Sequence, residues 1–400
     1  KGSYPLGKLF NNFLIQKKKK SYAWDASQSY HERFNKLNLK KYDNNYGINY
    51  IKSNWFTKFR HRPLTKNNIK AVNKHIEAVI SAKSLRKFSK KYNHTDKSLR
   101  DIYNISEKKI LLLSTSSWDE IVGTYLAKDA DLSDLLIFKS QKYWLEQCID
   151  FFKDKKDCRL IIRPHPRDFS SKYSEISNFI KDNPVLPDNI TFNLPSHNVS
   201  LYNILKDVDL VLNAWSSLAL EAGILNVPVI SISDELTVHP PELEYYQKNE
   251  KDYFLKINLI LNQNNNQFDL NRCKNFYNFL TSYMVDNDIN LQLQKNDIFY
   301  SLFKILNKIT FFLSTKSYFK NFLGYNKNIK ETNTLLNIFF NNNSNVFNEV
   351  EKNSIKNDHA KDQDYMNGFL ELSKMLINKK ENSIYFDKTI ELKNKIIPRK

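Results

Sequence analysis

The chain has 400 residues, 41% of them hydrophobic, which is enough to bury one large core or two ordinary ones and excludes wholesale disorder. Its formal net charge of +18 belongs to one end: residues 1–100 hold 24 basic and 5 acidic side chains, against 37 and 38 in residues 101–400. Seven glycines in all, with only Gly123 and Gly223 in the stretch that reads as an enzyme core, exclude a dinucleotide fingerprint and a P-loop, because both need several glycines for backbone N–H groups to reach a pyrophosphate.

The chain opens at Lys1 rather than Met, which leaves open whether a segment precedes its first domain. Residues before 68 are rich in Lys, Asn and aromatic side chains with no strong period, and are assigned to the second half of a two-domain cleft. From Asn68 to Tyr92, Ile69, Val72, Ile76, Val79, Ile80, Leu85 and Phe88 recur at the spacing of one long amphipathic helix with lysines outward.

Between about residues 108 and 235, short β-branched or leucine runs alternate with amphipathic runs, the pattern of βαβ units on a parallel sheet. The expected strands are Lys109 to Thr115, Cys158 to Arg163, Ile190 to Leu194, Asp209 to Asn213 and Val227 to Ile232. Helices are expected over Gln141 to Lys153, Ser200 to Val208 and Ser216 to Leu225, so the region reads as α/β and Rossmann-like.

After about residue 260 the composition turns to Asn, Lys, Phe and Tyr, beginning with the polar linker Asn262 to Gln267. Asp297 to Leu313 sets Ile298, Leu302, Ile305 and Ile309 against Lys304 and Lys308, a stripe that suits a packed core face or a membrane surface. Residues 341–357 read as a loop, with a short terminal helix around Tyr365 to Asn378. The expected domains are therefore 1–105, 106–260 and a mainly helical 261–400.

Three widely spaced cysteines, Cys148, Cys158 and Cys273, make neither a disulfide framework nor a metal knuckle and fit a reducing compartment. With no long uncharged apolar run and no signal-like start, a cytoplasmic protein is expected, with peripheral attachment to the inner membrane as a further reading. His165, His197 and His239 lack ligand spacing. The pairs Asp129/Asp131 and Asp207/Asp209 sit after a helix and before a strand rather than after a strand, so no metal is expected.

The strand ending at Arg163 runs into Pro164, His165, Pro166, Arg167 and Asp168, which puts His165 at the carboxyl edge of a parallel strand, where open α/β sheets bind ligands. There it can donate to a phosphate or carboxylate with Arg163 or Arg167 adding fixed charge, or serve as a turn histidine bonded to a carbonyl. Further on, the strand ending at Asn213 passes through Ala214 and Trp215 to Ser216, a natural N-cap, and Ser217. Those two hydroxyls and the first helical turn suit an anion, and Glu221, one turn after Ser217, can accept from a sugar hydroxyl; a plain capped helix is the competing account.

Together the runs RPHPRDF and NAWSSLALEAGILNVPVISIS resemble the C-terminal half of GT-B glycosyltransferases, most closely the bacterial capsule and O-antigen enzymes that use CMP-activated sugars. The resemblance covers roughly 130 of the 400 residues, and a related pattern serves polymerases that use CDP-glycerol. It implies a GT-B-like α/β fold, two Rossmann-like domains facing a cleft with a helical C-terminal extension. It would make His165, Ser216 and Ser217 the phosphate contacts and Glu221 a ribose contact, with Arg163, Asn213 and Ser116 completing the donor-nucleotide set.

For the base or nucleophile there are two candidate regions. Thr115, Ser116, Ser117, Trp118, Asp119 and Glu120 follow the first strand of the same domain; Asp119 or Glu120 could act on the acceptor or the sugar, or close a capping box with Ser116 or Ser117. Upstream, Asp25 and His31 stand with Glu32 and Arg33 among aromatics that could face the donor, or be structural. Lys17 to Lys20, Arg60, Arg62, Lys83, Arg86, Lys87, Lys90 and Lys91 form a basic surface. With no nucleic-acid recognition motif beside it, anionic lipid is favoured over nucleic acid as its partner.

The expected function is a metal-independent glycosyltransferase without a cofactor, moving a sugar, preferably Kdo or a related ulosonic acid from its CMP donor, onto a lipid-linked or oligosaccharide acceptor of a bacterial surface glycan. The rival readings are a CDP-glycerol-type transferase, a sugar-nucleotide epimerase of the same fold, and a non-catalytic scaffold subunit.

Overall fold

The computed structural model describes residues 13–14, 16–18, 22–26, 37–41, 52, 55–81, 98–117, 135–170, 174–234, 236–237, 240, 242–263, 268–284, 288–289, 359–376, 389 and 391–393. Outside them lie the expected continuation of the first helix past Ser81, the Asp297 to Leu313 stripe, the 341–357 loop, the basic positions Lys19, Lys20, Lys83, Arg86, Lys87, Lys90 and Lys91, and the candidates His31, Asp119 and Glu120.

Near the start of the chain, β1 (Tyr22–Ala26) pairs antiparallel with β2 (Leu37–Lys41), which pairs in turn with β9 (Asp288–Ile289). The first long helix is α1 (Lys66–Ile80). Thr65 Oγ1 accepts from the Asn68 N–H at 3.2 Å, and the Asn68 side chain accepts from the Thr65 N–H at 2.9 Å. That reciprocal cap sets the start two residues before the expected one. The predicted face is correct, since Ile69, Val72, Ile76, Val79 and Ile80 are all buried.

The alternating pattern downstream folds as βαβ units. In chain order these are α2 (Leu99–Tyr103), β3 (Lys109–Ser114), α3 (Gln141–Phe152), β4 (Cys158–Arg163), α4 (Glu175–Asp182), β5 (Ile190–Phe192), α5 (Leu201–Leu205), β6 (Leu210–Asn213), α6 (Leu218–Ile224), β7 (Val229–Ser231), β8 (Tyr245–Tyr246) and α7 (Glu250–Asn262). The strands lie side by side in the order β5-β4-β3-β6-β7-β8, every pair parallel. Counted along the chain that order is 3-2-1-4-5-6, the doubly wound arrangement whose direction of growth reverses between β3 and β6. All five predicted strands are present, most of them shortened at the ends, and β8 adds a sixth.

Strands of such a sheet must be apolar on both faces, because helices cover both. Ile110 through Leu113 are fully buried, and the two alternating sets go to opposite layers. Leu111, Leu113, Leu160, Ile162, Leu210, Leu212 and Ile230 pack with α3, α4 and α7, while Ile110, Leu112, Ile161, Val211 and Val229 pack with α1, α5, α6, α8 (Leu270–Met284) and α9 (Asp362–Leu376). Each fully buried Leu or Ile contributes about 1.5–3 kcal/mol of transfer free energy.

The second layer draws on distant segments. Asn73 of α1 is held at one buried point by three contacts: its Nδ2 donates to Gly368 O at 3.0 Å and Glu371 Oε2 at 3.1 Å, and its Oδ1 accepts from the Tyr277 hydroxyl at 2.7 Å. Gly368 is what lets α1 and α9 approach, since a Cβ there would lie 2.6 Å from Ile69 Cγ2. Cys148, Cys158 and Cys273 are buried free thiols, and burial pushes the Cys158 thiol up to about 12, so they act as packing residues. Among the described residues no helix is long and apolar enough to cross a membrane.

Candidate functional site

The carboxyl ends of β4, β3 and β6 stop at one level, because Ser114 is in register with Arg163 on one side and Asn213 on the other. With neighbouring strands about 4.8 Å apart, the segments after β4 and β6 leave the sheet roughly 10 Å from each other, with Thr115 to Ser117 between them. The strand order reverses between β3 and β6 at this edge, the place where open α/β sheets bind ligands, and the sequence-predicted motifs begin at the ends of β4 and β6.

His165 is positioned by bonds to a neighbouring strand as well as by its flanking prolines. Its backbone N–H donates to Thr115 Oγ1 at 2.8 Å, and the Thr115 hydroxyl donates to Asp168 Oδ2 at 3.2 Å. The turn closes where the Asp168 N–H meets His165 O at 2.9 Å. The Arg167 N–H donates to His165 Nδ1 at 3.2 Å, so Nδ1 is an acceptor and the proton of the neutral ring sits on Nε2. The half-buried imidazole at this edge is therefore held as an Nε2–H donor.

The sequence places Thr115 among the hydroxyls of the loop after β3 and Asp168 at the end of the run from Pro164, without assigning either a part in tying this turn to the sheet. Thr115 is fully buried and Asp168 is 5% exposed. Burial pushes the Asp168 carboxyl up to about 6 against the opposing pull of the Thr115 and Ser174 hydroxyls and the His165 amide. An Asp directly after a Pro-His-Pro-Arg run, with buried Thr at the end of an apolar strand, is the only trace of this pairing in the sequence.

Arg163 extends to the other face of β4. Its Nη1 donates to Asn193 Oδ1 and, at 3.5 Å, to Val199 O, while Asn193 Nδ2 contacts the Tyr103 hydroxyl, which lies 3.4 Å from His197 Nδ1. Burial lowers the guanidinium to about 10. Among the described residues Arg163 meets no carboxylate, an unusual condition for a desolvated cation.

On the β6 side, Asn213 is fully buried and both ends of its amide are in use: Nδ2 donates to Ser231 Oγ at 3.1 Å and Oδ1 accepts from the Ser216 N–H at 3.1 Å. It shapes the turn from within. The helix begins two residues later than expected, at Leu218, with Ser217 in the cap position and no side-chain bond from it; the Ser216 hydroxyl instead accepts from the Leu218 N–H at 3.3 Å. Ser217 is exposed, Ser216 half-buried, and Glu221 is only 4% exposed.

Ser116 is likewise enclosed at 3% exposure, its N–H and C=O clamped by Gln141 Oε1 at 2.6 Å and Gln141 Nε2 at 3.0 Å. Lys52, which carried no signal in the sequence, is bonded to Asp234 and lies 3.4 Å from Thr237 Oγ1, just past the end of β7. Asp25 lies in β1. Asp209 is spent at the opposite edge of the sheet, on the Ile110 N–H at 2.9 Å and Lys109 Nζ at 3.3 Å, and His197 pairs with Tyr103. Among the described residues no three His, Cys, Asp or Glu side chains gather as a metal-binding group.

No protein-family model matches the chain, and neither does any curated protein. Among solved structures it is similar to the β-Kdo 2,4 transferase KpsC of Thermosulfurimonas dismutans, at 12% identity and a TM-score of 0.38 over 60% of this chain and 69% of that one. It is similar to the S. aureus MnaA–UDP structure, at 15% identity and a TM-score of 0.31 over 62% and 59%. A putative UDP-N-acetylglucosamine 2-epimerase from Listeria monocytogenes gives 14% identity and a TM-score of 0.30 over 47% and 43%, so the chain spans less than half of that protein's length. At these identities and TM-scores the likenesses assign neither substrate nor residue roles.

Proposed function

We propose that the protein is a glycosyltransferase that seats the phosphate of a nucleotide-sugar donor at the carboxyl edge of β4, β3 and β6, the preferred donor being CMP-linked Kdo or a related ulosonic acid. The observation that carries the reading is the anchoring of His165: its amide on Thr115, its Nδ1 on the Arg167 N–H, and its proton thereby on Nε2, a donor suited to a phosphate oxygen. The combination of RPHPRDF with the serine pair supports the choice of donor class through its resemblance to CMP-sugar-dependent GT-B enzymes.

In this reading Ser217 adds an exposed hydroxyl, Ser216 and Asn213 hold the β6–α6 turn in shape, and Arg163 supplies positive charge that no carboxylate among the described residues quenches. Charge developing on the leaving phosphate is taken by His165 and Arg163 rather than by a metal. Glu221 approaches the ribose, and a carboxylate from Asp119, Glu120 or the Asp25 region assists the acceptor hydroxyl or attacks the sugar. The acceptor is a lipid-linked or soluble glycan, and the cytoplasmic face of a membrane is the proposed place of work.

Calorimetry with CMP, CDP and UDP tests the donor class. CMP is expected to bind best, and His165→Ala to weaken it at least tenfold, about 1.4 kcal/mol. An unchanged affinity in that variant removes the phosphate role from His165. Turnover of UDP-N-acetylhexosamine without any acceptor would replace the transferase with an epimerase.

A further inference from the structure

A cleft of about 460 Å³ opens between α8, the start of α9 and the turn after the helical segment Trp55–Phe59, within the range of about 300–1,000 Å³ usual for ligand sites. It lies toward the opposite edge of the sheet from His165. Arg60 in its wall bonds Glu242 at 3.0 Å, three residues before β8 begins, and Arg272 on the same helix α8 donates to Val227 O and Leu243 O, both just ahead of the strands β7 and β8.

Helix α8 carries two stripes at the same helical spacing. Cys273, Phe276, Tyr277 and Leu280 go into the core. Asn271, Lys274, Asn275 and Asn278, at i, i+3, i+4 and i+7, all line the cleft. A polar stripe of that regularity spends a helix face on hydrogen-bonding groups, and three of its four members are amides, which both donate and accept.

The charges in the wall are already matched. Arg60 pairs with Glu242 at 3.0 Å and Lys274 with Asp362 at 2.6 Å. Asn278 is 6% exposed; its Nδ2 donates to Arg60 O at 2.8 Å, which fixes the direction of the amide and leaves Oδ1 a buried acceptor with no donor among the described residues. The amides of Asn271 and Asn275 make no side-chain hydrogen bond among those residues. A phosphate or carboxylate offers acceptors only. A surface of amides left unspent by the described residues, beside neutralised cations, calls for a ligand that brings hydroxyl donors and acceptors together.

We infer that this cleft is a second binding site, for a neutral polyhydroxylated ligand of the size of a disaccharide, separate from the carboxyl edge at His165. The inference does not depend on the transferase reading, and its test separates the two.

The full chain is titrated with neutral disaccharides (lactose, maltose, diacetylchitobiose), with inorganic phosphate and with CMP, read by saturation-transfer NMR and calorimetry. At least one disaccharide is expected to bind without being displaced by phosphate, and Asn271→Ala combined with Asn275→Ala to weaken it roughly tenfold while CMP binding stays as it was. Both positions reach solvent, so the melting temperature of this variant is expected to be unchanged; Asn275→Leu alone, expected to weaken the sugar as well, gives an independent reading. Absence of binding by every disaccharide, displacement by phosphate, or loss of the sugar in His165→Ala but not in the asparagine variants overturns the inference.

Discussion

Thr115 Oγ1 and the amide nitrogen of His165 are 2.8 Å apart across fifty positions of chain. Because the same hydroxyl donates to the buried Asp168 carboxylate, one threonine locks the turn after β4 onto the end of β3. Thr115→Val keeps the shape and deletes the oxygen, leaving an amide and a carboxylate in the interior without it. The expected cost is about 1–3 kcal/mol in urea denaturation. If His165 grips a phosphate, nucleotide affinity falls in the same variant although the imidazole is untouched. A variant as stable as the parent removes Thr115 from the support of this turn.

Asp168 makes stability depend on pH in a defined direction. Its carboxyl is pushed up to about 6, chiefly by burial, whereas an aspartate in an unfolded chain titrates at about 3.9. Between those values the native state keeps a proton that the unfolded chain has released. The contribution is therefore complete below about pH 4 and is lost as pH climbs through about 6. Asp168→Asn, which still offers Thr115 an oxygen, is expected to flatten that slope and to raise stability at neutral pH by on the order of 1–3 kcal/mol. Thermal melts from about pH 4 to pH 7 check it, and an unaltered slope in the variant contradicts the assignment.

Asn73 and Gly368 make a paired prediction for the layer that joins α1, α8 and α9. Asn73→Leu strips acceptor and donors from Tyr277, Gly368 and Glu371 together and is expected to cost about 2–4 kcal/mol. Tyr277→Phe removes a single hydroxyl from the same point and is expected to cost about 1 kcal/mol. Gly368→Ala pushes a methyl to 2.6 Å from Ile69 Cγ2 and 2.9 Å from the Tyr277 oxygen, and overpacking of that kind costs about 1–3 kcal/mol. Chemical denaturation ranks the three. An Asn73→Leu variant no weaker than Tyr277→Phe would show that only one of the bonds matters.

What could be read from sequence follows from where the signals are strong. Cys158 to Arg163 has the predicted limits because a β-branched run between charged turns admits no other period, and the faces of α1 were legible because five apolar residues share one helical stripe. Helix α7 was missed although Asn249 caps it, accepting from the Asp252 N–H at 2.9 Å. Helix α8 was hidden by its three asparagines, poor helix formers that its buried aromatic face overrides. A two-residue strand such as β8 has no period to find.

At the site the same limit applies. Strand ends and capping residues pointed to His165, Ser216 and Asn213, whereas the bonds of Thr115 to His165 and Asp168, and of Gln141 to Ser116, depend on register between strands and on which residue follows a gap. Gln141 gives a direct check. Gln141→Leu leaves the Ser116 N–H and C=O without partners in a closed interior and is expected to destabilise the chain by about 1–3 kcal/mol. Gln141→Glu, ionised at neutral pH, keeps the acceptor for the N–H but loses the donor and buries a charge, so it should melt below the parent at neutral pH and recover part of the difference at acidic pH, where its protonated carboxyl can donate to the Ser116 C=O. Equal stability of all three denies the clamp any weight.

Arg163 separates a role in folding from a role in binding. Its guanidinium is lowered to about 10 by burial, and among the described residues it is held only by an amide oxygen, a carbonyl and the neighbourhood of Tyr103. Removing such a charge relieves a desolvation cost, while Asn193 loses a donor; the two effects oppose each other, so Arg163→Met is expected to move stability by no more than about 1 kcal/mol. Its charge matters more to an anion arriving at the carboxyl edge of β4, and the same variant is expected to weaken CMP roughly tenfold. Reduced salt dependence of the remaining affinity would mark the lost term as Coulombic. Full affinity with an unstable fold is the opposite result, and would make Arg163 a strut for Asn193 and Tyr103 instead of a ligand contact.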